Sequence, residues 1–354
     1  MPSRASRIDL LYFSRGRGKG HALPDITVVR RLRELCPDVN LMFVSYAQGA
    51  GVFRSFGEPL IDLELPEANP FADTLVRAAG LIRDLDPGLV VGHEEPSAMP
   101  AAAIFATPTV FMTHWFHPPQ DSYAHSLRFA DEIMFLEREG LFPEPECVNG
   151  RVRYMGPLIR HLNCRPADRD RVRAELGFET TDHVVLMIAG TPSEEREPTR
   201  GLVLSAFDLW NDPNKRLIWM AGKDRNQIAE VVGDRQGILV IDTDWGIDRL
   251  MVASDAAITK GTYNTGKELN ILGVPSISLS HGKNHIDDLF AKNLETNVFL
   301  WAKETSPELL AQKIEQALAV PRSVPDFSNA EVSCAAAVAG RLAKKIAGAR
   351  EIAS

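Results

Sequence analysis

Between residues 254 and 280 the chain reads SDAAITKGTYNTGKELNILGVPSISLS. Lys260, Gly261, Thr262, Tyr263, Asn264 and Thr265 stand between an apolar, strand-like run and a helical one. A glycine turn, hydroxyl side chains, an ammonium group and the positive end of a helix together suit a diphosphate. Glu268 follows within a turn. Its carboxylate could accept hydrogen bonds from ribose hydroxyls, or, as the last residue of Thr265-x-x-Glu268, it could close a capping box.

A second concentration of chemistry lies near the start, where Ser14-Arg15-Gly16-Arg17-Gly18-Lys19-Gly20-His21 follows an apolar run and leads into a helical stretch. Three glycines permit a tight turn and the close approach of a ligand. The loop is not a Walker A motif, because Gly20 follows Lys19 where that motif needs Ser or Thr. It is not a dinucleotide fingerprint either: the second strand runs out in Ser45-Tyr46-Ala47-Gln48-Gly49, with no acid for a ribose diol. His21, titrating near neutrality, could take a proton from a hydroxyl. The alternative is a helix-start histidine bonded to backbone. Two further strands end in His93-Glu94-Glu95 and His114. Either Glu94 or Glu95 could orient the base or replace it, and His114 could line the acceptor side.

Three metal-like spacings are set aside. Asp242-Thr243-Asp244 is read as turn chemistry, and His114-x-x-His117 and His281-x3-His285 each lack a third ligand. Cys36, Cys147, Cys164 and Cys334 form neither a CxxC pair nor a regular framework. No metal and no cofactor are expected.

The elements that must position these residues alternate apolar strands with amphipathic helices, twice over, as in α/β folds with parallel sheets. The first set is read at 8–13, 40–46, 89–93, 109–114 and 132–137, the second at 183–190, 215–222, 237–242, 256–261 and 274–280. Pro157 and Pro166 interrupt regular structure between the sets, and a last helix follows the break after Val320. A chain of 354 residues with 45% hydrophobic and 24% charged residues is long enough for two cores. Its net charge of -8 argues against a nucleic-acid binder. The first forty residues run the other way, with eight Lys or Arg against four acids, leaving peripheral contact with an anionic membrane face open. No apolar run is long enough to span a bilayer and no signal-peptide pattern is present, so a cytoplasmic location is expected.

The segment GTYNT, Glu268 and Gly273-Val274-Pro275, together with GRGKGHALP near the start, resembles the GT-B glycosyltransferases of family 28. That family includes the transferase adding N-acetylglucosamine to lipid-linked muramyl-pentapeptide. The resemblance implies two Rossmann-like domains with mainly parallel sheets facing a central cleft. Residues 1–160 would form the acceptor side, 161–328 the nucleotide-sugar side, and 329–354 a helix returning to the first domain. Carried across, Gly18, Gly20 and His21 fall in the acceptor-side loop and Glu268 at the ribose. Gly190, Thr191 and Ser193 fall in a second phosphate-facing loop. His285 and Asp287 stand near the donor sugar, with Asp287 where the family carries Gln. The implied reaction is metal-independent, inverting transfer of a hexosyl or N-acetylhexosaminyl group from a nucleotide-diphosphate sugar, UDP being the expected nucleotide, to the hydroxyl of a soluble or lipid-linked acceptor. A nucleotide-sugar hydrolase, a 2-epimerase or a non-catalytic nucleotide-sugar-binding subunit would share the same scaffold.

Overall fold

The computed structural model describes residues 8–66, 71–116, 122–140, 144–148, 150–188, 193–242, 246–282, 285–294, 296–322 and 327–353. The chain divides into two units, residues 1–161 with 328–354, and residues 162–327.

In the first unit, seven parallel strands form one sheet: β1 (Leu10–Ser14), β2 (Leu41–Ser45), β3 (Leu60–Asp62), β4 (Leu89–His93), β5 (Thr109–Thr113), β6 (Glu132–Phe135) and β7 (Val152–Tyr154). Their order is β3-β2-β1-β4-β5-β6-β7. The chain works outward from β1 on one side and then from β4 on the other, so the order reverses between β1 and β4. In open sheets of this type the crevice outside the strand ends at that reversal is where ligands bind. β1, β4 and β5 are buried along their whole length. This is the pattern of parallel strands covered on both faces.

Alternation along β1 sends Leu10 and Tyr12 into one core and Leu11 and Phe13 into the other. The first core is closed by Val28, Val29 and Leu32 of helix α1 (Ala22–Leu35) and by Val338, Leu342 and Ile346 of the last helix, Ala335–Ala353. Each such buried aliphatic side chain contributes about 1.5–3 kcal/mol. The last helix is also tied to the sheet by Arg341, which grips the Glu132 carboxylate at 2.8 Å through two nitrogens, and by Lys345 at 3.0 Å.

The second unit repeats the plan with six parallel strands: β8 (His183–Ile188), β9 (Lys215–Met220), β10 (Ile238–Ile241), β11 (Ala256–Thr259), β12 (Ser276–Ser280) and β13 (Asn297–Trp301), ordered β10-β9-β8-β11-β12-β13. Its reversal falls between β8 and β11. Both units are therefore Rossmann-like. Many of these buried strands end on a polar residue, among them Ser14, Ser45, His93 and Thr113 in the first unit and Thr259 and Ser280 in the second. No helix among the described residues is long and apolar enough to cross a membrane.

Candidate functional site

The reversal in the first unit gathers three imidazoles. β1 and β4 run side by side with Ser14 opposite His93, which puts the loop after β1 beside the end of β4. That loop ends at His21, the residue preceding α1, while His114 directly follows β5. The His21 and His93 rings lie 5.1 Å apart, His93 and His114 5.2 Å, and His21 and His114 5.9 Å. Among the described residues this is the group of three metal-ligand-type side chains whose donor atoms all fall within 4.8 Å of one another. His93 and His114 are buried and His21 is partly exposed. The structure thus brings to His114 the companions that its own sequence neighbourhood lacks. His117, the partner suggested by spacing, lies outside the described residues.

Behind the imidazoles stands Asp25, one turn along α1 from His21 and fully buried. Its Oδ1 lies 2.6 Å from His93 Nδ1 and accepts the Tyr12 hydroxyl hydrogen bond at 2.6 Å. That partnership directs His93 Nε2 toward the other two rings. The other nitrogen is buried without a hydrogen-bond partner, as is His21 Nδ1. Burial resists the charging of His93, but the carboxylates of Asp25 and Glu94 outweigh it and hold His93 above the ordinary histidine value. Burial, reinforced by the neighbouring His93, His114 and Arg15, holds His21 well below it. A neutral His21 keeps its lone pair, with reduced affinity for a proton.

The two glutamates proposed as bases are both buried and both engaged. Glu94 Oε1 accepts from Thr113 Oγ1 at 2.7 Å and from the backbone N–H of His114 at 2.8 Å, which fixes the exit of β5. Its φ of 51° is a left-handed conformation for a non-glycine residue, worth about 1–3 kcal/mol of strain. Glu95 accepts from Ser97 Oγ at 2.5 Å and Tyr46 Oη at 3.2 Å. Burial raises its pKa, partly countered by Ser97, Arg15 and Tyr46.

The loop glycines divide in role. A Cβ on Gly16 would collide with the backbone of Tyr46, so this residue is fixed by packing against the turn after β2. Gly18 takes a φ of 69° with open space around its Cα and makes the turn itself. Gly20 sits in the turn that leads to His21.

In the second unit, β11 delivers Lys260, Gly261 and Thr262 to a helix, Tyr263–Ile271. The helix begins one residue after Thr262, which is its N-cap. Thr265 therefore lies inside the first turn, and the alternative reading, a capping box between Thr265 and Glu268, is not formed. Glu268 is a buried residue of the helix body. Gly261 has a φ of 83°, and a Cβ there would stand 3.3 Å from both Ala291 Cβ and Ser278 Cβ. Its N–H donates to Thr259 Oγ1 at 3.0 Å. The Tyr263 ring packs on Phe290 at 4.1 Å. At the far end of this helix, Arg322 donates to the carbonyls of Leu272 and Gly273 at 3.1 and 3.3 Å, complementing the negative end of the helix dipole. Three residues, Lys260, Gly261 and Thr262, separate Thr259, the last residue of β11, from the first residue of the helix.

Gly190 and Thr191 lie outside the described residues, as do the side chains of Ser193, His285 and Asp287. Asp242 is exposed in an ion pair with Arg225 at 3.5 Å, and Asp244 is outside the described residues. Asp25 and Tyr12 are additions that the motif reading missed. The His21-x-x-x-Asp25 spacing, one helical turn, is a signal that could have found the first.

No protein-family model matches the chain. It is 24% identical over 243 residues to an uncharacterized glycosyltransferase of Methanopyrus kandleri, covering 65% of this chain and 68% of that one. MurG of Acinetobacter baumannii superposes with a TM-score of 0.63 at 12% identity, over 96% of this chain and 99% of that one. The UDP-GlcNAc 2-epimerase of Methanocaldococcus jannaschii, in complex with UDP-GlcNAc and UDP, gives 0.64 at 13% identity, over 95% and 99%. These likenesses establish the architecture, two Rossmann-like domains of the GT-B type.

Proposed function

We propose that this chain is a glycosyltransferase that moves a sugar from a nucleotide-diphosphate sugar, UDP being the favoured nucleotide, to an acceptor hydroxyl. The observation that carries the reading is the imidazole cluster at the strand reversal of the first unit, backed by a buried carboxylate. Three histidines converging where the strand order reverses give a site at which a hydroxyl could be relieved of its proton.

In this reading the second unit holds the donor. Lys260, the start of helix Tyr263–Ile271 and the hydroxyls of Thr262 and Thr265 bind the diphosphate, and Glu268 accepts hydrogen bonds from the ribose. The acceptor oxygen attacks the anomeric carbon and inverts it as the bond to the diphosphate breaks. The leaving group gathers negative charge, which the helix dipole and Lys260 stabilise without a cation at the diphosphate. His21, the least buried of the three rings, is the one that meets the acceptor. Asp25 orients His93, and Glu94 fixes His114.

A second reading is favoured by one observation: the M. jannaschii epimerase fits as well as MurG does. The same cluster would then act on the donor sugar itself, or on water. Mass spectrometry of products from a UDP-sugar with and without an acceptor mixture separates these. The transfer reading requires nucleoside diphosphate and glycosylated acceptor to form only when acceptor is present. A 2-epimer or free sugar from donor alone overturns it in favour of the second.

A further inference from the structure

We propose that His21, His93 and His114 form a binding site for one divalent transition-metal ion of the zinc type. Three imidazoles with a fourth position left open are the ligand set of many catalytic zinc sites. Nitrogens about 2.0–2.1 Å from a shared tetrahedral ion place imidazole centroids about 5 Å apart, and the observed separations are 5.1, 5.2 and 5.9 Å. The His21–His114 pair, at 5.9 Å, must close by somewhat under about 1 Å for all three to share one ion.

The surroundings are those of a metal-binding histidine. Asp25 Oδ1 lies 2.6 Å from His93 Nδ1, which suits a ring that donates there and binds an ion through Nε2 once the Nε2 proton is displaced, the carboxylate–histidine arrangement that orients ligands. That Nε2, fully buried, has no hydrogen-bond partner, and His21 Nδ1 has none either. Charge points the same way. Asp25 Oδ2 and Glu94 Oε2 are buried carboxylate oxygens without partners. A cation held by the three rings would add positive charge beside these oxygens. His114, held by the Glu94 bond to its backbone N–H, completes the third side.

Ion binding is independent of the transfer reading. The role of the ion rests on it: held by His21, His93 and His114, it would lower the pKa of an acceptor hydroxyl at its open position, the proton passing to solvent.

The test uses the full chain, stripped with a chelator, reconstituted with Zn(II) or Co(II), and dialysed. Elemental analysis should find about one ion per chain, and the cobalt form should show the intense visible bands of a four-coordinate site. The His114→Ala and His21→Ala variants should each lose the ion while a control, His281→Ala, retains it. If a variant fails to fold, the wild-type cobalt spectrum still decides. Substoichiometric metal, weak six-coordinate bands, or retention of the ion by folded His21→Ala overturns the site. Stoichiometric ion without turnover of any donor contradicts the transfer reading and leaves the site standing. Undiminished transfer by the stripped enzyme overturns the role of the ion alone.

Discussion

Asp25 Oδ1 lies 2.6 Å from His93 Nδ1 with both side chains fully buried, although 68 positions separate them in the chain. A buried carboxylate fixes both the orientation and the tautomer of the ring it holds. The Asp25→Asn substitution keeps the size of the side chain and can present an N–H where His93 needs an acceptor. It is expected to lower activity about 10–100-fold, the usual effect of removing such a partner, with a much smaller effect on donor KM. An unchanged kcat would remove Asp25 from the account.

Glu268 is not part of a capping box, so its removal should be felt in ligand binding and not in helix capping. Calorimetric titration of Glu268→Gln with UDP is expected to show affinity reduced about 10–100-fold, from a charge-assisted hydrogen bond worth roughly 1.5–3 kcal/mol. The melting temperature should stay close to wild type. Unchanged affinity beside a lowered melting temperature would assign Glu268 to the fold.

What the sequence showed and what it concealed follow from physical differences among the elements. β4 and β5 could be read because strands covered on both faces are continuous apolar runs, and both are buried from end to end. β3 and β7 are edge strands of three residues with no fully buried position, and β13 is a partly exposed edge, so none of them carries that signal. At the second-unit site the residues that form the turn were legible, but not where the helix starts. Thr262 and Thr265 are both acceptable N-caps, and only the backbone decides between them. The meeting of His21, His93 and His114 depends on which strands are neighbours and in what register. Spacing along the chain does not contain that information.

The pairing of Glu132 with Arg341 and Lys345 ties the last helix to the first sheet and should be visible in acid. Burial alone would raise the Glu132 pKa, but the bonds and charges of Arg341 and Lys345 outweigh it and lower the value. A carboxyl group with a depressed folded pKa stabilises fully above its unfolded value, about 4.3. The contribution is lost as pH falls through the lower folded value. Glu132→Gln should therefore cost about 1–2 kcal/mol at neutral pH, allowing for the partial exposure of Arg341. It should also flatten the acid limb of stability against pH. An acid limb parallel to wild type would contradict this.

Four of the basic residues near the start are engaged within the unit. Arg31 pairs with Glu34 at 2.8 Å, Arg33 with Glu58 at 2.7 Å, and Arg30 lies over the Phe56 ring at 5.4 Å, while Arg15 is buried. Each free basic residue near an anionic bilayer is worth roughly 1 kcal/mol, and these four are committed elsewhere. Co-sedimentation at low salt should recover equal amounts of protein with neutral and anionic vesicles. Salt-sensitive enrichment on anionic vesicles would restore a membrane-bound acceptor.

The central claim is that the second unit binds a nucleoside diphosphate and its sugar conjugate through the Lys260–Glu268 segment. Thermal unfolding across UDP, CDP, GDP, ADP and their sugar conjugates tests it most directly, since a ligand that binds only the folded state stabilises it by about 2.7 kcal/mol at a hundred times its Kd. The account predicts a concentration-dependent rise with one nucleoside diphosphate and its sugar, UDP foremost, and its loss in Glu268→Gln. No shift with any of them at millimolar concentration, or an equal shift in Glu268→Gln, would contradict it.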